Sequence, residues 1–308
     1  MAVFECAGCG AELTARLTEV PLPGHAHQRY RHDLLPALME PGTYAVDPKP
    51  WGPPWRKWDE VGEEEAAARG VYAPVYSLSY GAEGWVVIAP GDGRGMRLIP
   101  ERLDGYCYGV DGREGPNLAC ERCGEPVATR IDDCAKWQAV WLQPEAVRAV
   151  PSAERPVEET DIPPVTAEGR WDPRWEAEVG IALAHLVAAS DGASLTVPSG
   201  LWEKVFAPAL AVLLPTGEPR MVSVDDVSMP PAMVRWLGLP LVKDRDEDTP
   251  PGPWFPFEPD VGLFLDTLTR MPAVREPWLR EIYDRVRATR YRVVRRFCLP
   301  KREWNPEA

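Results

Sequence analysis

Cys6-Ala7-Gly8-Cys9-Gly10 and Cys120-Glu121-Arg122-Cys123-Gly124 are one turn written twice. In each, the Cys-x-x-Cys spacing lets two sulfurs point at a common ion, and the glycine after the second cysteine can take the positive φ at which the chain reverses. Two such turns supply four sulfurs, the number that closes a tetrahedral Zn²⁺ site. Cys6, Cys9, Cys120 and Cys123 are therefore the expected metal ligands, with structural Zn²⁺ as the cofactor. A closed sphere of four thiolates leaves no corner for water or substrate, so this metal is expected to hold the chain rather than to act on a ligand.

Working outward, Leu13, Ala15 and Leu17 alternate with Thr14, Arg16 and Thr18 after the first turn. After the second, Val127, Thr129 and Ile131 alternate with Ala128, Arg130 and Asp132. Period-two patterning predicts strand in both places. Together the two halves resemble the zinc-ribbon family, in which CxxCG-type turns at the tips of β-hairpins share one zinc. The resemblance covers residues 3–20 and 117–132 and implies one shared tetrahedral ion. About 110 residues separate Cys9 from Cys120, far more than in a compact ribbon, so the intervening chain must fold the two turns together.

That insert contains further donors. His25 and His27 alternate, and His32 and Asp33 follow, but Pro21, Pro23 and Gly24 mark a loop in which surface or hydrogen-bonded histidines are the plainer reading. Residues 41–58 are proline and tryptophan punctuation, with Trp51, Trp55 and Trp58 expected to pack on the core. Residues 59–68 predict a short helix whose Glu63, Glu64 and Glu65 suit the positive end of its dipole. Beyond it, residues 72–78, 85–89, 96–99 and 136–142 have strand character. Gly91-Asp92-Gly93-Arg94-Gly95 lies between two of these and predicts a hairpin turn, because a phosphate-binding loop needs a helix after it and Met96-Arg97-Leu98-Ile99 reads as strand. Seven cysteines leave Cys107, Cys134 and Cys298 outside the paired turns. No base stands beside Cys107 or Cys134 in sequence, and both are expected to be free buried thiols.

Residues 151–164 are acidic and proline-rich and predict a linker between a domain at 1–150 and a second at 165–308. The pattern beyond is helical. Asp172-Pro173 is a cap followed by proline at the first helical position, and Trp175, Val179, Leu183, Leu186 and Val187 recur at helical spacing up to Ser190. His185 stands on that helix as a structural group. Ser199 starts a short helix expected to stop near Pro208, and residues 209–214 and 220–224 predict a hairpin. Asp225 and Asp226 suggest capping, and residues 230–237 a short helix. Asp260 caps a helix to residue 270, and residues 276–296 predict a final helix carrying Arg285, Arg292 and Arg296 beside Ile282, Val286, Val293 and Phe297. The fold class expected is α+β, with a β-rich first domain on a split zinc ribbon and a mainly helical second domain containing a small hairpin.

Function is less constrained. A formal charge of −13 opposes general nucleic-acid binding, although residues 275–302 carry ten basic against three acidic side chains and could meet phosphate or the protein's own acidic body. No stretch is apolar for long enough to span a membrane, and the opening residues lack the pattern of a secretory leader, so a cytoplasmic protein is expected. There is no G-x-S-x-G, no H-E-x-x-H, no Walker loop and no dinucleotide fingerprint. A non-catalytic module that works through contact with a protein partner is the leading expectation. An enzyme with a pocket between the domains and a nucleic-acid reader using the final helix are the alternatives.

Overall fold

A computed structural model describes residues 1–30, 33–105, 107, 109–152, 171–196, 201–214, 220–221 and 259–288. It is α+β, and its chain forms two compact units that are not contiguous in sequence. The first comprises Met1–Lys57 and Ser77–Thr160, the second Trp58–Tyr76 and Asp161–Ala308. No helix among the described residues is long and apolar enough to cross a membrane.

In the first unit the strands are β1 (Ala2–Cys6), β2 (Thr18–Glu19), β3 (Thr43–Asp47), β4 (Trp55–Lys57), β5 (Ser77–Ser79), β6 (Trp85–Ile88), β7 (Met96–Leu98), β8 (Leu118–Cys120), β9 (Pro126–Ile131), β10 (Ala139–Leu142) and β11 (Val147–Pro151). Seven of them make a mixed sheet in the order β2-β3-β6-β10-β9-β8-β7. Only β2 and β3 run parallel; the other neighbours are antiparallel. β6 lies between β3 and β10, and all four of its residues are buried, which is why its sequence reads as an unbroken apolar run rather than an alternation. Its side chains divide between two faces. Val86 and Ile88 join Phe4, Leu13, Leu17, Val127 and Leu142, while Val87 joins Leu35, Leu38, Ala139 and Trp137.

A separate ribbon pairs β1 with β11, from Ala2 opposite Pro151 to Cys6 opposite Val147. The chain after Cys9 forms isolated bridges rather than one strand, Glu5 facing Glu12 and Ala2 facing Leu17. Leu13 and Leu17 nevertheless bury fully, as the alternation predicts. β4 and β5 make a small antiparallel arm. Trp51, before it, meets Trp85 edge-on at 5.0 Å, whereas Trp55, the first residue of β4, is 52% exposed and does not pack on the core as expected.

The residues 91–95 do not form a hairpin turn. β6 and β7, which flank them, never pair; β7 pairs with β8 at the sheet's edge. The glycine-rich segment instead carries the chain across, because a short-range turn signal cannot specify which strands it joins.

In the second unit, α1 (Trp58–Val61) and α2 (Glu63–Ala68) break at Gly62, where φ is 79°. They are followed by α3 (Pro173–Ala189), α4 (Leu201–Leu213), α5 (Val261–Thr269) and α6 (Pro277–Ala288). The caps are those the sequence predicts: Asp172 Oδ1 accepts from the Arg174 N–H at 2.8 Å, and Asp260 Oδ1 from the Leu263 N–H at 2.8 Å. Trp175, Val179, Leu183 and Val187 of α3 share one core with Phe206 and Leu210 of α4, Phe264 and Leu268 of α5, and Leu279 and Ile282 of α6. α3 and α5 approach closely at Gly180, where a Cβ would lie 2.4 Å from the Asp260 carbonyl oxygen. Ala73 belongs to this core, the Tyr72 N–H donates to the Thr269 carbonyl at 2.7 Å, and the Tyr283 hydroxyl donates to the Pro74 carbonyl.

Two expectations for this unit are corrected. α4 runs through Pro208 to Leu213 instead of stopping, because Phe206, Ala209, Leu210 and Leu213 fall on one face and bury together. That burial offsets the roughly 3 kcal/mol that an interior proline costs. Residues 209–213 are therefore helix, and they form no hairpin with residues 220–221: β13 (Arg220–Met221) pairs in parallel with β12 (Leu195–Thr196). The expectations for residues 153–164, 199, 222–226, 230–237 and 289–296, with Arg292, Val293, Arg296 and Phe297, lie outside the described residues.

Candidate metal centre

β1 ends at Cys6 and β8 at Cys120, so each strand delivers its last side chain to the start of a turn. The two turns share one hydrogen-bond pattern. The Cys6 N–H donates to the Ala11 carbonyl and the Gly10 N–H to the Cys6 carbonyl, both at 2.8 Å; the Cys120 N–H donates to Glu125 at 2.8 Å and the Gly124 N–H to Cys120 at 2.9 Å. Gly10 and Gly124 stand at φ 70° and 81°, the left-handed region in which a side chain is strained. This is the local geometry the spacing predicts.

The four sulfurs converge. Cys6 Sγ lies 3.6 Å from Cys123 Sγ, Cys9 Sγ lies 3.7 Å from Cys120 Sγ, and all four fall within 4.8 Å of one another. A tetrahedron whose corners lie about 2.3 Å from its centre, the usual zinc–sulfur distance, has edges of about 3.8 Å. The spacing therefore suits a single ion, and the thiols are free rather than joined as disulfides. Cys6 and Cys120 are buried, Cys9 is half-buried and Cys123 is exposed, so the cluster sits at the unit's surface with its inner corners on the core.

The bridge across the insert is the segment that the sequence suggests is a hairpin. The Ala15 N–H donates to the Asp92 carbonyl and the Arg94 N–H to the Leu13 carbonyl, each at 2.8 Å, and the Glu121 N–H donates to the Gly95 carbonyl at 2.9 Å. Residues 92–95 thus bond to the chain after the first turn and to the second turn itself. Gly95 has φ 54°, and a Cβ there would lie 2.7 Å from the Glu12 carbonyl oxygen. Glycine is required at this position because the backbones nearly touch. One hydrogen bond and one ion pair at the rim add to the fit: Arg122 Nη1 donates to the Cys9 carbonyl at 3.3 Å, and Arg148 meets Glu5 at 2.8 Å.

The four close sulfurs perturb one another's protonation. Burial pushes Cys6 up to about 12, despite N–H groups of Cys9 and Gly8 that favour its thiolate. At Cys9 the Ala11 N–H works to lower the value, but burial and hydrogen bonds with Cys123 and Cys120 outweigh it and the net shift is upward. Burial also acts to raise Cys120; there the N–H groups of Cys123 and Arg122 win and bring it down to about 7. Neighbouring thiolates cannot all ionise together, and a divalent ion is what would displace the retained protons.

The other expected donors do not join this centre. His25 and His27 lie in a 3-10 turn (Gly24–His27) rather than an extended segment, which turns their rings to different partners. His25 packs on Trp137 at 4.5 Å. His27 stacks with Trp141, and its Nε2 lies 2.9 Å from Asp47 Oδ2 at ion-pair distance without hydrogen-bond alignment. Asp33 is exposed, and His32 lies outside the described residues. Cys107 is exposed rather than buried, and with Asp133 and Cys134 it forms a second group of possible ligands within 4.8 Å. No paired-cysteine spacing marks that group, in which Cys107 lies on one loop and the adjacent Asp133 and Cys134 on another. Comparison with family models, curated proteins and solved structures finds no match to the chain.

Proposed function

We propose that the protein is a zinc-ribbon-type interaction protein, in which Cys6, Cys9, Cys120 and Cys123 hold one structural Zn²⁺ and the surface so fixed engages a protein partner. The observation that carries this reading is the convergence of four sulfurs from two turns with the same hydrogen-bond pattern. Soft thiolate donors in a tetrahedral arrangement favour zinc over hard cations, and four of them leave no exchangeable corner. The role that fits is a clamp between distant parts of the chain. Support for a protein partner comes from Leu34 and Trp55, which are 69% and 52% exposed, since large apolar and aromatic side chains dominate protein interfaces. The charge of −13 weighs against nucleic acid in that place.

One equivalent of Co²⁺ added to the metal-free chain tests the metal assignment. A tetrathiolate spectrum that ignores added azide is expected; a five-coordinate or azide-responsive spectrum would point to hydrolytic use instead. For the partner, cross-linking in extracts of the native host should yield a discrete adduct that Trp55→Ser weakens, and an adduct indifferent to Trp55 removes that residue from the interface.

A further inference from the structure

β9 leads away from the second cysteine turn, and at its far end the chain makes a second, different gathering of donors. Six strand residues put the two places about 20 Å apart. Cys107 arrives on a loop pressed against residues 132–133: the Asp132 N–H donates to the Val110 carbonyl at 2.8 Å, and Val110 and Asp132 form an isolated bridge. The approach is so close that only glycine fits at residues 105 and 109. A Cβ on Gly109 would lie 2.0 Å from the Asp132 carbonyl oxygen, and one on Gly105 would lie 1.5 Å from the Gly109 carbonyl oxygen.

Asp133 organises the group. Its side chain is 2% exposed, its Oδ1 accepts from the Cys134 N–H at 2.8 Å, and its Oδ2 accepts from the Cys107 N–H at 3.0 Å. The carboxylate therefore fixes the backbone of both cysteines and is itself held in orientation. Carboxylates that ligate metals are oriented by hydrogen bonds of this kind. Cys134 is 5% exposed, and the next residue, Ala135, holds φ 64°, a conformation that residues other than glycine rarely adopt. Ala135 is kept there by its N–H on the Asp33 carbonyl and by the Tyr30 N–H on its own carbonyl.

We propose that Cys107, Asp133 and Cys134 form a second metal site, for a divalent ion of borderline softness such as Zn²⁺, with three protein ligands and an open fourth corner. Two sulfurs and one carboxylate oxygen within 4.8 Å of one another match the donor set of such an ion. Their combined negative charge in a mostly buried position is offset by the cation. Lys136, on the same loop, pairs with Asp111, Nζ 3.5 Å from Oδ2, and adds one positive charge near Cys134 and Asp133. Cys107 is exposed, so the open corner is reachable from solvent and takes water or a small exogenous ligand. The two centres differ in kind, the four-sulfur one closed and this one exchangeable, and the second does not depend on the assignment of the first.

Zinc titration of the full chain against a chromophoric chelator, under reducing conditions, tests this directly. Two equivalents are expected, the second lost first to a mild chelator. Cys107→Ser, at an exposed position that leaves the fold intact, should weaken the second equivalent by about 100-fold or more and leave the first unchanged. Co²⁺ at the second equivalent should give a spectrum with fewer thiolates that shifts on adding azide. One equivalent of zinc with Cys107 and Cys134 both open to alkylation would overturn the proposal, as would a second equivalent that survives in Cys107→Ser, or a disulfide between the two cysteines in zinc-saturated protein.

Discussion

Cys9 and Cys120 stand 111 residues apart and meet at 3.7 Å in the first unit, whereas in the second α3 and α5 meet through Leu183, Phe264 and Leu268 in an apolar core. The first unit is made of short strands, several of only two or three residues, whose order in the sheet bears little relation to their order in the chain. Closing long loops of this kind costs entropy that short strands repay poorly, and a metal held by the four sulfurs would offset that cost across a separation of 111 residues. The second unit buries long apolar faces of helices with formed caps, and among its described residues no group of metal ligands occurs. A comparison of the two indicates where stability should depend on metal and where it should not.

The largest effect should follow loss of one ligand. Cys6→Ser or Cys123→Ser should lower zinc content and loosen the first unit together, since structural zinc supplies on the order of 10 kcal/mol of binding free energy in small metal-dependent folds. Zinc per chain, read beside thermal unfolding, checks this; unchanged stoichiometry in either variant removes that cysteine from the site. Phe264→Ala, at a side chain 1% exposed, should cost the second unit about 3–5 kcal/mol while zinc content stays the same. A fall in zinc content in that variant would break the comparison from the other side.

Gly95→Ala should have a smaller but telling effect on zinc affinity, about 1–3 kcal/mol, although residue 95 touches no sulfur. Its Cβ would force residues 92–95 away from Glu12 and so misalign the two turns. Competition with a calibrated chelator measures it. The smallest effect concerns His185, which burial holds below its ordinary value of 6.5. The unfolded chain then takes up the proton first, so stability of the second unit is full above about pH 6.5, declines as pH falls below it, and levels off once the buried imidazole protonates too. His185→Gln should flatten that decline in denaturant titrations between pH 7 and the acid limit.

What could be read from sequence was local. The paired cysteine turns, the Asp172-Pro173 start of α3 and the Asp260 cap of α5 each draw their geometry from a few adjacent residues, and a one-dimensional pattern is enough to find them. Pairing was not legible. Gly91 to Gly95 has the composition of a turn whether it joins neighbouring strands or, as here, ties the chain after Cys9 to the turn at Cys120. Pro208 reads as a stop until the burial of Phe206 and Leu210 is known. The trio of Cys107, Asp133 and Cys134 was hidden for the same reason: the contact is made by the doubling-back of a loop at Gly105 and Gly109, which composition does not reveal.

Hydrogen exchange across the full chain, before and after zinc is removed by a strong chelator, sets the two units against each other in one experiment. Amides of β1, β8, β9 and β11 should lose protection while those of α3, α5 and α6 keep theirs. Protection unchanged in those strands, or lost equally in both units, would contradict the claim that four sulfurs clamp the first unit through one ion.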